Sequence, residues 1–191
     1  MKPERLTAFT DGVIAIIITI MVLELKVPDS AGLEALRQMA PILGLYLLSF
    51  MFVGIYWNNH HHLFQAVEAV GGATLWANLH LLFWLSLIPF ATEWMGRTQF
   101  ASLPVAFYGV LLIMAALAWT VMTRTLLALH PADSALHLAL GSDRKGKLSL
   151  ALYALALAFT PFARYLSLAL YVAVAVLWFV PDRRFERILA G

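Results

Sequence analysis

Three consecutive histidines, His60, His61 and His62, end an otherwise apolar stretch, "FVGIYWNNHHHLF". Asn58 and Asn59 stand just before them, and Asp11, Asn78 and His80 also lie in apolar surroundings, with Arg5 preceding the aspartate. Such side chains can do three things: share hydrogen bonds between packed helices, pass protons, or hold a metal. The metal reading fails on geometry. Neighbouring positions on a helix point about 100° apart, so three adjacent histidines cannot converge on one ion, and no HExxH spacing occurs. There is no cysteine, which removes thiolate ligands, disulfides and thiol nucleophiles. No metal site and no cofactor are expected. A relay through Asp11 and His60–His62, as in a proton-coupled secondary transporter, remains beside the structural reading. In the latter, Arg5, Asp11 and one or two histidines tie two helices together. Either way Asp11 needs a partner, because an unpaired charge in or near lipid costs on the order of several kcal/mol. Asn78 and His80 fall on different faces, and each is expected to make an interhelical hydrogen bond.

The elements that position these groups follow from composition. Hydrophobic residues make up 62% of the 191 residues and charged residues 13%, about half the charge of a water-soluble domain. That describes a polytopic membrane protein set in a lipid bilayer, in one unit covering residues 1–191. Apolar segments fall at about 7–25, 40–60, 74–95, 101–123, 148–163 and 165–180, giving six spans. The last two are short and meet near Pro161 and Arg164, so a re-entrant hairpin is the alternative there. Pro89 should kink or shorten the third span. Trp57, Trp76, Trp94 and Trp178 sit near span ends, where amphipathic rings favour the interface.

With six spans and the N-terminus inside, the inner side carries Lys2, Arg5, Arg124, Arg144, Lys145, Lys147, Arg183, Arg184 and Arg187. The outer side carries Lys26, Arg37, Arg97 and Arg164. Nine against four places both termini in the cytoplasm. The N-terminal apolar run has no small-residue cleavage site, so no signal peptide is expected. Net charge is +2, and no basic cluster interleaves with aromatics, so nucleic acid is excluded as a partner. No glycine-cradled serine and no pair of catalytic carboxylates offers enzyme machinery, and no internal duplication marks an inverted-repeat transporter.

The first span, "RLTAFTDGVIAIIITIMVLEL", separates its surroundings by angle. Ile16, Ile20 and Leu23 form one stripe at i, i+4 and i+7, with Gly12 and Thr19 beside it. Asp11 points about 140° away from Ile16. The stripe could line a conduit, but apolar stripes of membrane helices more often face lipid or a neighbouring helix.

Arg5, three spacers, then Phe9, Thr10, Asp11 and Gly12 resemble the R-x-x-x-F-S-D string that opens the first helix of the transmembrane protein 175 family of potassium channels. "YWNNHHHLF" resembles that family's second-helix ending, W-x-x-H-H-R-L-F, and "LWANLHLLFWLSLIPFATEW" resembles its third helix. The likeness covers the first half of the chain, while the second half agrees only in hydropathy. Thr10 replaces a serine, and His62 stands where the family carries arginine. The resemblance implies an all-α channel unit with six transmembrane helices per chain. It also implies assembly as a homotetramer in a prokaryotic cell membrane, with the first helix of each subunit around a central pore for permeant monovalent cations. Carried over by position, the narrowest hydrophobic ring falls on Ile16, further apolar layers on Ile20 and Leu23, and a hydroxyl layer on Thr19. Arg5, Phe9, Thr10, Asp11, His60 and His61 would form the network that buttresses this helix. No TVGYG-like string supplies carbonyl rings, so potassium should be preferred over sodium only modestly.

Overall fold

The computed structural model describes residues 2–28, 30–140 and 143–179, and these are helical with short connections. Arg183, Arg184 and Arg187, three of the residues behind the expected orientation, lie outside them, as does Val180 at the end of the last expected span. The helices are α1 (Glu4–Leu23), α2 (Leu33–Gln65), α3 (Gly72–Ser86), α4 (Ile88–Arg97), α5 (Ser102–Leu127), the short α6 (Ala135–Leu140) and α7 (Arg144–Phe179). Counting α3 and α4 together, five helical stretches among the described residues are long and apolar enough to cross a membrane.

Two prolines shape this pattern. Pro89 stands in the first turn of α4, where its missing N–H needs no partner, and the third span breaks at Leu87 between α3 and α4. Pro161 lies two residues before Ala163, the non-helical point (φ −147°, ψ 61°) inside α7. There the chain turns back on itself. The Trp178 indole N–H donates to Ser149 Oγ at 2.8 Å, although 29 residues of straight helix would hold them about 43 Å apart. The Ser167 hydroxyl reaches the Ala156 carbonyl at 2.7 Å, and the Thr160 hydroxyl reaches Ser167 at 3.1 Å. α7 is therefore a hairpin of two antiparallel arms, 144–162 and 164–179. The sequence boundary between the last two segments falls at this turn.

α5 is the centre of the bundle, packed against α3 on one side and α7 on the other, while α1 lies against α2, α3 and α4. Lipid gives helices no hydrophobic reason to associate, so close packing and interhelical hydrogen bonds must hold them. Both are present. Gly109 brings α5 so close to the second arm of α7 that a Cβ there would overlap the Tyr171 hydroxyl. That hydroxyl donates to the Val105 carbonyl at 3.3 Å. Ser49 of α2 meets Thr92 of α4 at 2.7 Å and Tyr108 of α5 at 3.0 Å, joining three helices at one buried point.

Candidate functional site

α1 has two faces of the same chemistry and opposite environment. Leu6, Thr10, Ile14, Ile17 and Met21 recur at helical spacing and are buried against the bundle. Phe9, Ile16, Ile20 and Leu23 lie on the other side and are uncovered; Ile16 is 58% exposed and Leu23 79%. Both stripes are apolar, so hydrophobicity alone could not distinguish them. The distinction comes from Thr10: its hydroxyl needs an interior partner, and the partner fixes which side of α1 turns inward.

That partner is Asn78. Its Nδ2 donates to Thr10 Oγ1 at 2.8 Å, and its Oδ1 meets His60 Nε2 at 3.1 Å. With the amide oxygen accepting, His60 carries its proton on Nε2. Asn78 is 2% exposed, His60 1% and Thr10 fully buried, so one asparagine on α3 joins α1 to α2 inside the bundle. The His60 ring also stacks on Phe64, with centroids 4.3 Å apart.

The expected network is redrawn by this geometry. Thr10 and His60 are brought together, but only through Asn78. Asp11 accepts from the Trp57 indole N–H at 2.9 Å and stands at the exposed edge of the α1–α2 contact. Neither Arg5 nor a histidine contacts it. The ion pairs Arg37–Glu34 and Arg97–Glu93 involve neither Arg5 nor Asp11. The reason is angular. Thr10 and Asp11 differ by about 100° around α1, so they address different surroundings. Trp57, one turn before His60 and His61 on α2, reaches the aspartate first. Arg5 and Phe9 lie on the uncovered side of α1 with Ile16, because positions 5, 9, 12 and 16 share a face. His61 is exposed, meets Gln65 at 3.0 Å and stacks against Trp57. His62 Nδ1 is buried with no hydrogen-bond partner among the described residues. His80 accepts from Trp84 one turn along its own helix at 2.8 Å, so the expected interhelical bond is made by Asn78 alone of the two. Asn78 was legible as helix glue from its place in an apolar run. Its two partners were not, since nothing in a sequence says which faces of three helices meet.

Thr19 donates to the Ile16 carbonyl at 2.9 Å. Its proton is engaged within the helix while its oxygen lone pairs face outward beside Ile16 and Ile20, where they can accept from water or meet a cation. At the opposite end from the Thr10 bridge, Glu24 follows directly after Leu23. It shares a cavity of about 250 Å³ with Glu93, Arg97 and Lys26. A hydrogen bond and like charge from Glu93 hold the Glu24 carboxyl above the ordinary range, while Arg97 pairs with Glu93 at 3.2 Å.

An all-helical membrane bundle, with a polar bridge locking one side of α1 and an apolar stripe left uncovered on the other, defines a helical membrane protein. Residues 5–89 match the family described as "Endosomal/lysosomal potassium channel TMEM175". A protein of Chryseobacterium sp. (strain P1-3), named a potassium channel, is 50% identical over 189 residues, which is 99% of this chain and 98% of the relative. One from Streptomyces collinus (strain DSM 40733 / Tue 365), also named a potassium channel, is 35% identical over 133 residues, covering 63% of this chain and 65% of the relative. The crystal structure of a lysosomal potassium-selective channel TMEM175 homolog from Chamaesiphon minutus superposes with a TM-score of 0.73 at 27% identity, covering 93% of this chain and 96% of that one. The chain belongs to the TMEM175 family, a family of channels and not of enzymes.

Proposed function

We propose that this chain is a potassium-conducting channel subunit that assembles as a homotetramer, with four copies of α1 around the conduction axis. The observation that carries the reading is the division of α1. One apolar face is held inward by the Thr10–Asn78–His60 bridge, and the opposite face, with Ile16, Ile20 and Leu23, is left uncovered by the described residues. Four such faces around an axis would bury one another's flanks and leave Ile16 at a neck, Ile20 and Leu23 in wider layers, and the Thr19 oxygens between. Closed rotational symmetry is the ordinary way to build one conduit from one helix per subunit. An ion passing a ring of isoleucines must shed part of its water, and the ring can close by dewetting. Potassium, the more weakly hydrated ion, loses less there than sodium, so the preference is real but modest.

In this reading both arms of the α7 hairpin cross the membrane, giving six spans with both termini in the cytoplasm of a prokaryotic cell. The arms are about 28 and 24 Å long, slightly under the usual hydrocarbon thickness, which local thinning accommodates. The proton-coupled transporter has less support. Asp11 ends on Trp57 and His60 on Asn78, so the acid and the histidines do not form one chain of proton-exchanging groups.

The test is ion flux from liposomes loaded with potassium, compared under potassium and sodium gradients, for wild type and Ile16→Asn. A potassium-preferring leak that grows and loses preference in the variant is expected. A variant with the wild-type rate and ratio would remove Ile16 from the pathway. Flux that appears only with a proton gradient would favour the transporter.

A further inference from the structure

A second cavity, of about 290 Å³, lies away from α1, between α2, the C-terminal half of α5 and the first arm of α7. Its floor is apolar and aromatic, including Phe52, Ile55, Leu150 and Trp119. Its rim is charged: Arg124 from the last turn of α5 and Lys147 from the first turns of α7 are exposed there. The one acid on the rim, Asp143, accepts the Gly146 N–H at 3.1 Å and so caps the helix beside it. Lys145 stands 5.8 Å from the Trp178 ring on the same side.

Of the polar groups lining the cavity, Ser149, Thr120 and Trp178 are engaged within the bundle, and three are not. The hydroxyls of Tyr56 and Tyr153 and the side-chain amide of Asn59 all line it, yet none has a hydrogen-bond partner among the described residues. Tyr153 is only 4% exposed. These polar atoms are open to the crevice rather than sealed in, so they are free to bond an occupant that brings its own polar groups. The remaining surface is greasy, which a small hydrophilic anion would not choose. Leu117 in the lining, and Val121 and Leu148 on the same two helices, are exposed apolar residues. Tryptophans at the cavity's side, with cations just beyond them, match the depth at which lipid headgroups begin.

We propose that this crevice binds an anionic phospholipid. Its phosphate lies between Arg124 and Lys147, and its glycerol–ester region reaches Tyr56, Tyr153 and Asn59. Its acyl chains run along the outer surface of α5 and α7. The volume is that of about ten water molecules, enough for a headgroup and glycerol but not for whole acyl chains. The site makes no use of the α1 stripe, so it stands or falls separately from ion conduction.

The experiment titrates the purified full-length protein with phosphatidylglycerol, phosphatidylcholine and glycerol phosphate, counting bound lipids by native mass spectrometry. Wild type should retain phosphatidylglycerol in preference to phosphatidylcholine, and glycerol phosphate should compete poorly. Arg124→Gln with Lys147→Gln should weaken phosphatidylglycerol binding at least about tenfold and leave phosphatidylcholine unchanged. Lys147→Gln alone, at an exposed position, keeps the test available if the double variant folds badly, and should weaken binding severalfold. Leu150→Trp, which fills the floor, should reduce occupancy by both lipids. Unchanged phosphatidylglycerol affinity in both charge variants would overturn the proposal. Equal retention of the two lipids would overturn it too, as would competition by glycerol phosphate at matched concentration, which would make the site one for a free anion. Wild-type protein that retains no phosphatidylglycerol would end the lipid assignment.

Discussion

Asn78→Ala tests how α1 is held, since that one side chain carries both interhelical bonds of the bridge. The two partners fare differently once it is gone. Thr10 only accepts in the bridge, so it loses an incoming donor. Its own proton stays free for the carbonyl four residues back, as in Thr92, Thr120 and Thr160, and an under-satisfied hydroxyl oxygen costs little. His60 has no such alternative; its ring is clamped on Phe64 and buried. Interhelical hydrogen bonds in membrane bundles average about 0.6 kcal/mol, with a maximum near 1.7, while a buried donor left unpaired costs about 1–3 kcal/mol. Taken together the substitution should cost about 2 kcal/mol, some thirtyfold in the folding equilibrium. Unfolding of purified protein by titration with a denaturing detergent would measure it. Thr10→Val should cost less, and the double variant should fall short of the sum by about 0.5–1.5 kcal/mol, because each partner's bond is already lost in the other's absence. Strict additivity, or a cost for Asn78→Ala below about 0.5 kcal/mol, would show that the bridge records the packing of α1 without helping to hold it.

Other expectations follow from the same contacts. Gly109→Ala forces a methyl group into the Tyr171 hydroxyl and should destabilise by about 1–3 kcal/mol, read by the same titration; removing that hydroxyl with Tyr171→Phe should recover part of the loss. Trp57→Phe removes the donor to Asp11 and should lower the yield of assembled protein on size-exclusion chromatography while leaving the potassium-to-sodium flux ratio unchanged; a changed ratio with normal assembly would place Asp11 in the ion path. Glu24 is held above the ordinary carboxylate range by Glu93, so it takes up a proton at a higher pH than a free glutamate. Its negative charge beside Leu23 is thus present above the raised pKa and lost as pH falls through it. Potassium flux entering from that end should decline over that window in wild type and be flatter in Glu24→Gln, and identical pH profiles would dismiss Glu24 as a mouth charge.

The sequence by itself determined the solvent, the element type and the family. An apolar fraction of 62% marks lipid as the solvent, where only helices and closed barrels satisfy the backbone, and continuous apolar runs of about 20 residues without polar alternation point to helices. It also isolated the stripe at Ile16, Ile20 and Leu23, since a helical repeat sorts residues by angle whatever surrounds the helix. What the repeat cannot supply is the identity of the neighbour at each angle. Arg5 and Asp11 look like a pair on paper, yet they point to different sides of α1, and Trp57 is the group that reaches the acid. Thr10 and His60 meet only because α3 inserts Asn78 between them, across 68 and 18 residues of sequence respectively. The turn at Ala163 was visible as a proline and a gap in hydropathy, but that the two arms lie side by side is recorded only by bonds such as Trp178 to Ser149. Periodicity is a property of one helix, and partnership is a property of the packing of several. The first is written in spacing, while the second exists only once the helices are placed against one another.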